Sequence, residues 1–387
     1  MNERGQLPVT QWKIKDSGPK TIEESLVREF GFHPIISQMI LKRRVGSLED
    51  AHRYLHPSLN DLHSPFLMQD MKKGVARLLK AIYDGEEIVI YGDYDADGIT
   101  SVVILYKFMK QLTARVSYYI PDRVQEGYGL KIPVIDRFKQ KNVKLIVTVD
   151  CGISDIEQIA YAKSVGIDTI VLDHHEIADQ LPPAVACINP NRSDCSFPFK
   201  HLAGVGIAFN FLIALRGTLR REGFWKNDDY PNLKEFLDVV ALGTIGDIAP
   251  LLDENRIFAR IGLDLITEGR RPGIKALKEV SGIDGQLVDS FKASFCLIPR
   301  INAAGRIASP LDAVELLLAE TMEEARPLAE KLDLHNRRRQ AMEKDILNEI
   351  LEQLGAKPDL ENINALVFSS EKWHPGVVGI VASRLVD

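Results

Sequence analysis

Apolar and polar positions along the chain follow two periods in alternation. Short unbroken apolar runs at 88–91, 116–120, 143–150, 167–172 and 184–188 read as buried strands. Segments 71–83, 99–111, 132–140 and 155–165 space their apolar residues three or four apart, as amphipathic helices do. The alternation predicts βαβ units with right-handed crossovers, and so an α/β fold with a doubly wound, mostly parallel sheet. Helices are expected at 204–221 and 233–242, and mixed helical periodicity runs over 256–318. Residues 321–354 read as one long charged helix with Leu328, Leu332 and Ile346 spaced along it, of the kind that bridges two bodies. A strand at 364–369 and a glycine-rich turn into a helix at 374–385 then open a second α/β domain. One strand and one helix cannot bury a core of their own, so the chain is expected to be C-terminally incomplete. Residues 1–64, with Trp12, Pro34 and Tyr54-Leu-His-Pro57, read as helical pieces without chemistry. Lys42-Arg-Arg44 could touch phosphate, but a solvated helix face is the simpler reading.

Composition narrows the class. The 387 residues suffice for two or three domains, and 45% hydrophobic with 26% charged content is ordinary for a globular protein. No apolar run is long enough for a membrane helix, and the first residues lack signal-peptide character. Cys151, Cys187, Cys195 and Cys296 are scattered without a Cys-x-x-Cys pair, which predicts reduced cysteines and a cytoplasmic location. A net charge of −6 argues against a protein that simply coats nucleic acid. It leaves room for an enzyme whose acids cluster around metals.

The chemistry starts where the first strand ends. Asp93, Asp95 and Asp97 follow it on alternate positions, with Gly98 next and a helix after. Three carboxylates this close raise one another's pKa unless cations neutralise them. Asp-rich turns also arise for backbone reasons alone. An EF-hand loop counted from Asp93 would need Glu where Ile104 stands, and a strand precedes the turn where a helix is required. No Gly-Lys-Ser/Thr follows, so the turn is not a P-loop.

Other strands end in the same way. One closes on Asp150-Cys-Gly152 and the next on Asp173-His-His175, each at the carboxyl end of a parallel strand, where open α/β sheets place their crevices. Asp247, in Gly243-Thr-Ile-Gly-Asp247, is a further candidate that spacing alone does not decide. Carboxylates with imidazole and no thiolate suit magnesium or manganese. Four or five carboxylates exceed the needs of one ion and fit two, about 3.5–4 Å apart. The residues thus read as a two-metal phosphoester hydrolase.

At this point the motifs resemble a family. Asp93-Tyr-Asp-Ala-Asp-Gly98, Val149-Asp-Cys-Gly152, Asp173-His-His175 and Gly243-Thr-Ile-Gly-Asp247 are similar, in order, to the four motifs of the DHH phosphoesterase superfamily. Within it, three further stretches resemble the RecJ-type single-stranded-DNA exonucleases. They are 119–129, Pro299-Arg-Ile-Asn-Ala-Ala-Gly-Arg306 and His374-Pro-Gly-Val-Val-Gly-Ile-Val-Ala-Ser-Arg384. The resemblance implies a metal-dependent 5′→3′ exonuclease that releases 5′-mononucleotides in DNA repair and recombination. It implies two Mn2+ or Mg2+ ions per site, with single-stranded DNA, a single-strand-binding protein and a helicase as partners. It divides the chain into an N-terminal helical region at 1–64, a DHH domain at 65–255, a helical extension with a DNA-contact loop at 256–320, a connecting helix at 321–355 and the start of a DHH-associated domain at 356–387.

The same resemblance implies residue roles. Asp95 binds one metal and Asp97 the other, Asp150 bridges them, and His174 and Asp247 also bind metal. Asp93 supports the ligands and His175 faces the substrate phosphate. Tyr91 stands where family pyrophosphatases have a histidine ligand, which implies a weaker first metal site. Arg123 and Arg306, in glycine-rich loops, suit bidentate phosphate contact. Asn302 holds the Arg306 loop, and His374, Gly376, Ser383 and Arg384 form a turn onto a helix start, an anion site. Gly204-Val-Gly206 opens another helix, either for phosphate or for close packing. The His335–Arg339 stretch is either a DNA-tracking stripe or, more simply, a solvated face. Two alternatives stand beside the exonuclease. One is a DHH-family phosphodiesterase acting on short oligoribonucleotides or cyclic dinucleotides. The other is a non-catalytic DNA-binding or scaffold member of the fold.

Overall fold

A computed structural model of the chain describes residues 19–43, 45–113, 115–226, 229–355 and 365–386. Trp12 and Arg44 lie outside the described residues. The chain divides into two units, 1–61 and 62–387.

The first unit is helical. Lys20–Phe30 (α1), Pro34–Leu41 (α2) and Leu48–Leu55 (α3) pack around Leu26, Ile40, Val45 and Ala51. Its turns follow from local chemistry. Gly31 ends α1 at φ 65, and the Ser47 hydroxyl accepts the Asp50 amide at 3.0 Å to cap α3.

The second unit opens with Met71–Tyr83 (α4), whose apolar side leads into the sheet. Glu87–Gly92 (β1), Ala96–Met109 (α5), Val116–Tyr119 (β2), Ile132–Gln140 (α6), Val143–Val149 (β3), Ile156–Ser164 (α7), Asp168–Leu172 (β4) and Ala186–Ile188 (β5) follow. Among the described residues five strands form one sheet, all parallel, in the order β2-β1-β3-β4-β5. Both faces are covered, which is why the strands read as continuous apolar runs rather than alternating ones. On one face, Val89, Ile146 and Val171 meet Val134, Ile135 and Phe138 of α6 and Ile159 of α7. The other face carries α4, α5 and Gly204–Arg221 (α8).

The order places the site. From β1 the chain steps to β2 on one side, then crosses to β3 on the other. β1 and β3 therefore flank the switch point, where an open sheet leaves a crevice at its carboxyl edge. Asp93 to Asp97 leave β1 there, and Asp150 leaves β3.

Helices complete the unit. A 3-10 turn at Leu233–Phe236 precedes Leu237–Gly246 (α9), which packs on α5, α8 and Asp253–Glu268 (α10). Pro272–Val280 (α11), Ser290–Lys292 (α12), a π-helical turn at Ala293–Leu297, Ile298–Ile307 (α13) and Leu311–Leu318 (α14) come next. Met322–Gly355 (α15) is the expected long helix, and it backs α11, α13 and α14 before reaching Pro375–Val386 (α16). The strand expected at 364–369 is not formed. Residue 364 is not described, and 365–370 have no regular structure because no described strand offers them a ladder.

Candidate metal centre

The acidic turn is held open by its own backbone. Asp95 caps α5, its Oδ1 accepting the amides of Asp97 at 2.9 Å and Gly98 at 3.1 Å. Position 98 must be glycine, since a Cβ there would lie 2.5 Å from the Asp93 carbonyl oxygen. Asp97 is buried, and its carboxylate accepts the amides of Gly204 at 2.6 Å and Val205 at 2.7 Å. The helix start weighed as a phosphate site is therefore occupied by the protein's own acid. A Cβ on Gly204 would fall 2.9 Å from Asp150 Oδ1 and 3.0 Å from Asp97 Oδ2, so the close approach also demands glycine.

Asp150 leaves β3 with φ 58, a left-handed turn that aspartate tolerates better than most residues. His174 Nε2 lies 3.1 Å from Asp150 Oδ1 and 3.9 Å from Asp97 Oδ2, and its Nδ1 lies 3.8 Å from Asp247 Oδ2. Asp247 caps the C-terminus of α9. Three overlapping sets bring their ligand atoms within 4.8 Å of one another: Asp93, Asp95 and Asp150; Asp97, His174 and Asp247; Asp150, His174 and His175. Asp93 thus stands level with Asp95 rather than behind it.

Electrostatics make the cluster unfavourable without a cation. Burial, then Asp247 and Asp95, pushes Asp97 well above the carboxylate range. Burial, then Asp97, Asp95 and Asp93, does the same to Asp150. Asp93 is pushed up to about 7 by burial and Asp95, and Asp247 to about 7 by burial and Asp95. Burial and the neighbouring His175 lower His174. Among the described residues, buried Asp93 Oδ1 and His174 Nε2 have no hydrogen-bond partner. His174 Nε2 is close to Asp150 but not aligned to bond it. Hard oxygens with one neutral imidazole, two of these atoms unsatisfied, fit a divalent magnesium or manganese.

Asp173 has a role that sequence reasoning missed. Fully buried, it accepts the amides of Ile153 at 2.9 Å, His174 at 2.8 Å and His175 at 3.1 Å, and His175 Nδ1 at 2.8 Å. Burial alone would raise its pKa, but the hydrogen bond from His175 and those amides outweigh burial and hold it below the usual range. It keeps the proton on Nδ1 and turns Nε2 of the half-exposed His175 away from itself. The same hydrogen bond raises the His175 pKa. Asn191 and Asn189 hold the His174 and His175 carbonyls at 2.6 and 2.9 Å. The Tyr128 hydroxyl donates to the Asp150 carbonyl at 3.2 Å. An aspartate closing an apolar strand directly before two histidines was the available signal.

Tyr91 points away from the acids. Its ring is buried beside Tyr119 and Phe138, and its hydroxyl donates to the Gly129 carbonyl at 2.9 Å.

The expected DNA contacts are scattered more widely. Arg123 lies over the Tyr94 ring at 4.8 Å, on the acidic turn itself. Glu126 braces that loop, accepting the Tyr119 hydroxyl at 2.7 Å and the Asp122 amide at 3.0 Å. Arg306 sits in α13, not in a loop. Asn302 Oδ1 accepts the Ala96 amide at 2.8 Å, so it pins the acidic turn and not the Arg306 stretch. Arg306 Nη1 donates to the Gly376 carbonyl at 3.3 Å, and a Cβ on Gly376 would meet the Arg306 carbonyl oxygen at 2.1 Å. His374 and Gly376 do form the turn into α16, yet His374 Nδ1 already accepts the Gly376 amide at 3.1 Å. Ser383 and Arg384 lie about two turns further along the helix, so the four do not gather into one anion site. Arg384 pairs with buried Glu343 at 2.5 Å, and Arg339 pairs with the same carboxylate at 2.7 Å. With Asn336 buried as well, the 335–339 stretch is partly a packing seam and not simply a solvated face.

Comparisons with known proteins agree with the fold. The family model described as the DHH family, N-terminal domain, matches residues 87–244. The single-stranded-DNA-specific exonuclease RecJ of Bacillus subtilis is 39% identical over 377 residues, covering 97% of this chain and 46% of that protein. RecJ of Escherichia coli is 41% identical over 361 residues, covering 92% of this chain and 62% of that protein. This chain therefore spans about half to two thirds of the relatives it matches. A crystal structure of exonuclease RecJ bound to manganese superposes with a TM-score of 0.72 at 34% identity, covering 82% of this chain and 77% of that one. RecJ of Thermus thermophilus in complex with Mn2+ superposes with a TM-score of 0.79 at 31% identity, covering 95% of this chain and 51% of that one.

Proposed function

This chain belongs to the DHH family, in its RecJ branch, and on that footing we propose that it is a metal-dependent 5′→3′ exonuclease acting on single-stranded DNA. The observation that carries the reading is the cluster at the sheet's switch point, three overlapping ligand sets with two buried, unsatisfied ligand atoms. Asp95, Asp97, Asp150, His174 and Asp247 would hold two Mn2+ or Mg2+ ions, with Asp93 close enough to share in them. Such ions, when bound, lower the pKa of a water and offset charge on the phosphoryl oxygens.

The chain's own residues do the rest. The Gly204 and Val205 amides fix the Asp97 carboxylate, and Asp173 fixes both histidines. With Nδ1 committed to Asp173, His175 presents Nε2 to the phosphate or the leaving oxygen. Arg123, stacked on Tyr94, and Arg306 offer guanidinium groups beside the acidic turn for the strand's phosphates. His374, Ser383 and Arg384 are left as secondary phosphate contacts along α16, whereas the Gly376 amide and carbonyl are already engaged. Asn302 serves the site by holding the Ala96 amide.

Products are then 5′-mononucleotides, made in the cytoplasm during DNA repair and recombination, with a single-strand-binding protein and a helicase as partners. The functional division is 1–64, 65–255, 256–320, 321–355 and 356–387. Among the described residues no helix is long and apolar enough to cross a membrane. A non-catalytic scaffold would have no reason to keep five carboxylates and two histidines packed at such electrostatic cost. The test is digestion of single-stranded oligonucleotides, blocked and labelled at either end, with manganese present. Loss of label beginning at the 5′ end supports the reading. Degradation from the 3′ end, or equal rates on duplex, overturns it. Faster turnover of a dinucleotide than of a long strand would favour the short-substrate alternative.

A further inference from the structure

Phe291 and Phe295 are 65% and 66% exposed, and Leu287 beside them is 70% exposed. The two rings lie 4.6 Å apart at an interplanar angle of 37°. Aromatic faces left this open on a soluble surface mark a contact site. None of the metal-centre chemistry uses them.

Their helix links them to the site. α12, the π-helical turn and α13 run without a break from Ser290 to Ile307. Phe291 and Phe295 thus stand at the outer end of this rod, and Asn302 and Arg306 at its inner end. At its inner end Asn302 grips the acidic turn through the Ala96 amide, and Gly305 passes so close that a Cβ would lie 2.0 Å from the Tyr94 carbonyl oxygen. Phe295 lies within the π-helical turn and Phe291 two residues before it, and such turns recur at functional sites. Cations on this stretch are already engaged. Lys292 Nζ donates to the Leu287 carbonyl at 2.7 Å, and Arg300 Nε to Asp333 at 2.9 Å. What the outer end of the rod offers a ligand is an apolar π-face rather than charge.

We propose that Phe291 and Phe295 form a stacking platform for bases of an unpaired DNA strand, a few nucleotides from the bond being cut. The proposal rests on the single-strand exonuclease reading. Every base has a π-face, so stacking holds a strand without regard to sequence, and a duplex keeps those faces inside. The platform therefore adds selection for unpaired strands that the metal cluster cannot supply.

The experiment uses the full chain as wild type, as F291A/F295A and as F291Y/F295Y. Affinity for a fluorescent single-stranded oligonucleotide is read by anisotropy, with an equal-length oligonucleotide carrying a run of abasic sites as control. Wild-type cleavage of the same strands with Mn2+ is followed in parallel. The alanine pair should weaken binding of the intact strand at least about tenfold. The tyrosine pair should bind as wild type does. The abasic strand should bind weakly to all three proteins and equally. Unchanged affinity in the alanine pair overturns the platform and is the result for a protein-docking patch. An equal loss on intact and abasic strands also overturns it. Failure of the wild type to cleave would instead refute the exonuclease reading, while the binding comparison still decides the platform.

Discussion

Replacing Asp173 with asparagine should cripple the site without touching a proposed ligand. Oδ1 accepts three donors, the amides of His174 and His175 and His175 Nδ1, and Oδ2 accepts the Ile153 amide. An asparagine can keep Oδ1 in place only by setting its NH2 against the Ile153 amide. That leaves two buried donors facing each other, at a cost of about 2–3 kcal/mol. The remaining bond to His175 loses its charge assistance, about 1 kcal/mol more. The imidazole then has no anion to hold its proton on Nδ1, and the ring, whose Nε2 is proposed to meet the phosphate, is free to change tautomer. Loss of a positioned acid–base group lowers turnover by about 10²–10⁴-fold. The assay is kcat on a 5′-labelled single strand at saturating Mn2+, with thermal unfolding in the presence of a chelator. The expected result is a kcat at least about 100-fold lower and a melting temperature clearly reduced. Wild-type kcat with a melting temperature changed by less than about 2 °C would refute the role given to Asp173.

Three further outcomes are expected. Asp150→Ala should abolish cleavage while single-strand affinity, measured by anisotropy, stays within about threefold, since phosphate contacts supply most binding; undiminished cleavage would remove Asp150 from the centre. The metal-free protein should lose stability as pH rises. Asp93 and Asp247 are pushed up to about 7 by burial and Asp95, so the folded state holds protons that the unfolded state releases near pH 4. That stability is complete below about pH 4 and is lost as pH climbs to about 7, so Mn2+ should raise the melting temperature more at about pH 8 than at about pH 5.5; an equal shift at both would contradict the cluster's electrostatics. Tyr91→Phe strands the Gly129 carbonyl at a cost of about 1–2 kcal/mol, read by urea unfolding, and should leave the number of bound Mn2+ ions per chain unchanged by calorimetry. A changed stoichiometry would show that Tyr91 takes part in holding metal.

The sheet was legible because its strands are buried on both faces, so each appears as an unbroken apolar run that ends in a polar residue at the rim. Asp93, Asp95, Asp97, Asp150 and His174 announced themselves as acids and imidazole where strands stop. What sequence could not show is which donors each carboxylate meets. The amides that hold Asp97 come from residues 204 and 205, more than 100 positions away. Asn302 looked like a partner for its neighbour Arg306, yet its carbonyl oxygen reaches back across the fold to Ala96. Motif spacing likewise placed Arg306 in a loop because of its glycine, when Gly305 is there to let α13 touch Tyr94. The strand at 364–369 failed for a different reason. Its pattern is that of a strand, but a strand exists only when a neighbour completes its ladder.

The use of α8 follows from the same competition. A helix N-terminus with Gly-Val-Gly is a ready anion site, and a phosphate would be the natural guest. Here it takes Asp97 instead, at 2.6 and 2.7 Å. The two amides are among the few favourable terms acting on a fully buried carboxylate that Asp247 and Asp95 repel. They do not offset burial, since Asp97 remains far above its ordinary pKa, but they fix its two oxygens in direction. The chain therefore commits these two amides to orienting Asp97, and on the proposed reading a strand's phosphates would fall to Arg123 and Arg306 instead. On the proposed exonuclease reading, affinity for metal and affinity for DNA would rest on different donors. Loss of either arginine should weaken strand binding and its salt dependence while leaving Mn2+ affinity intact.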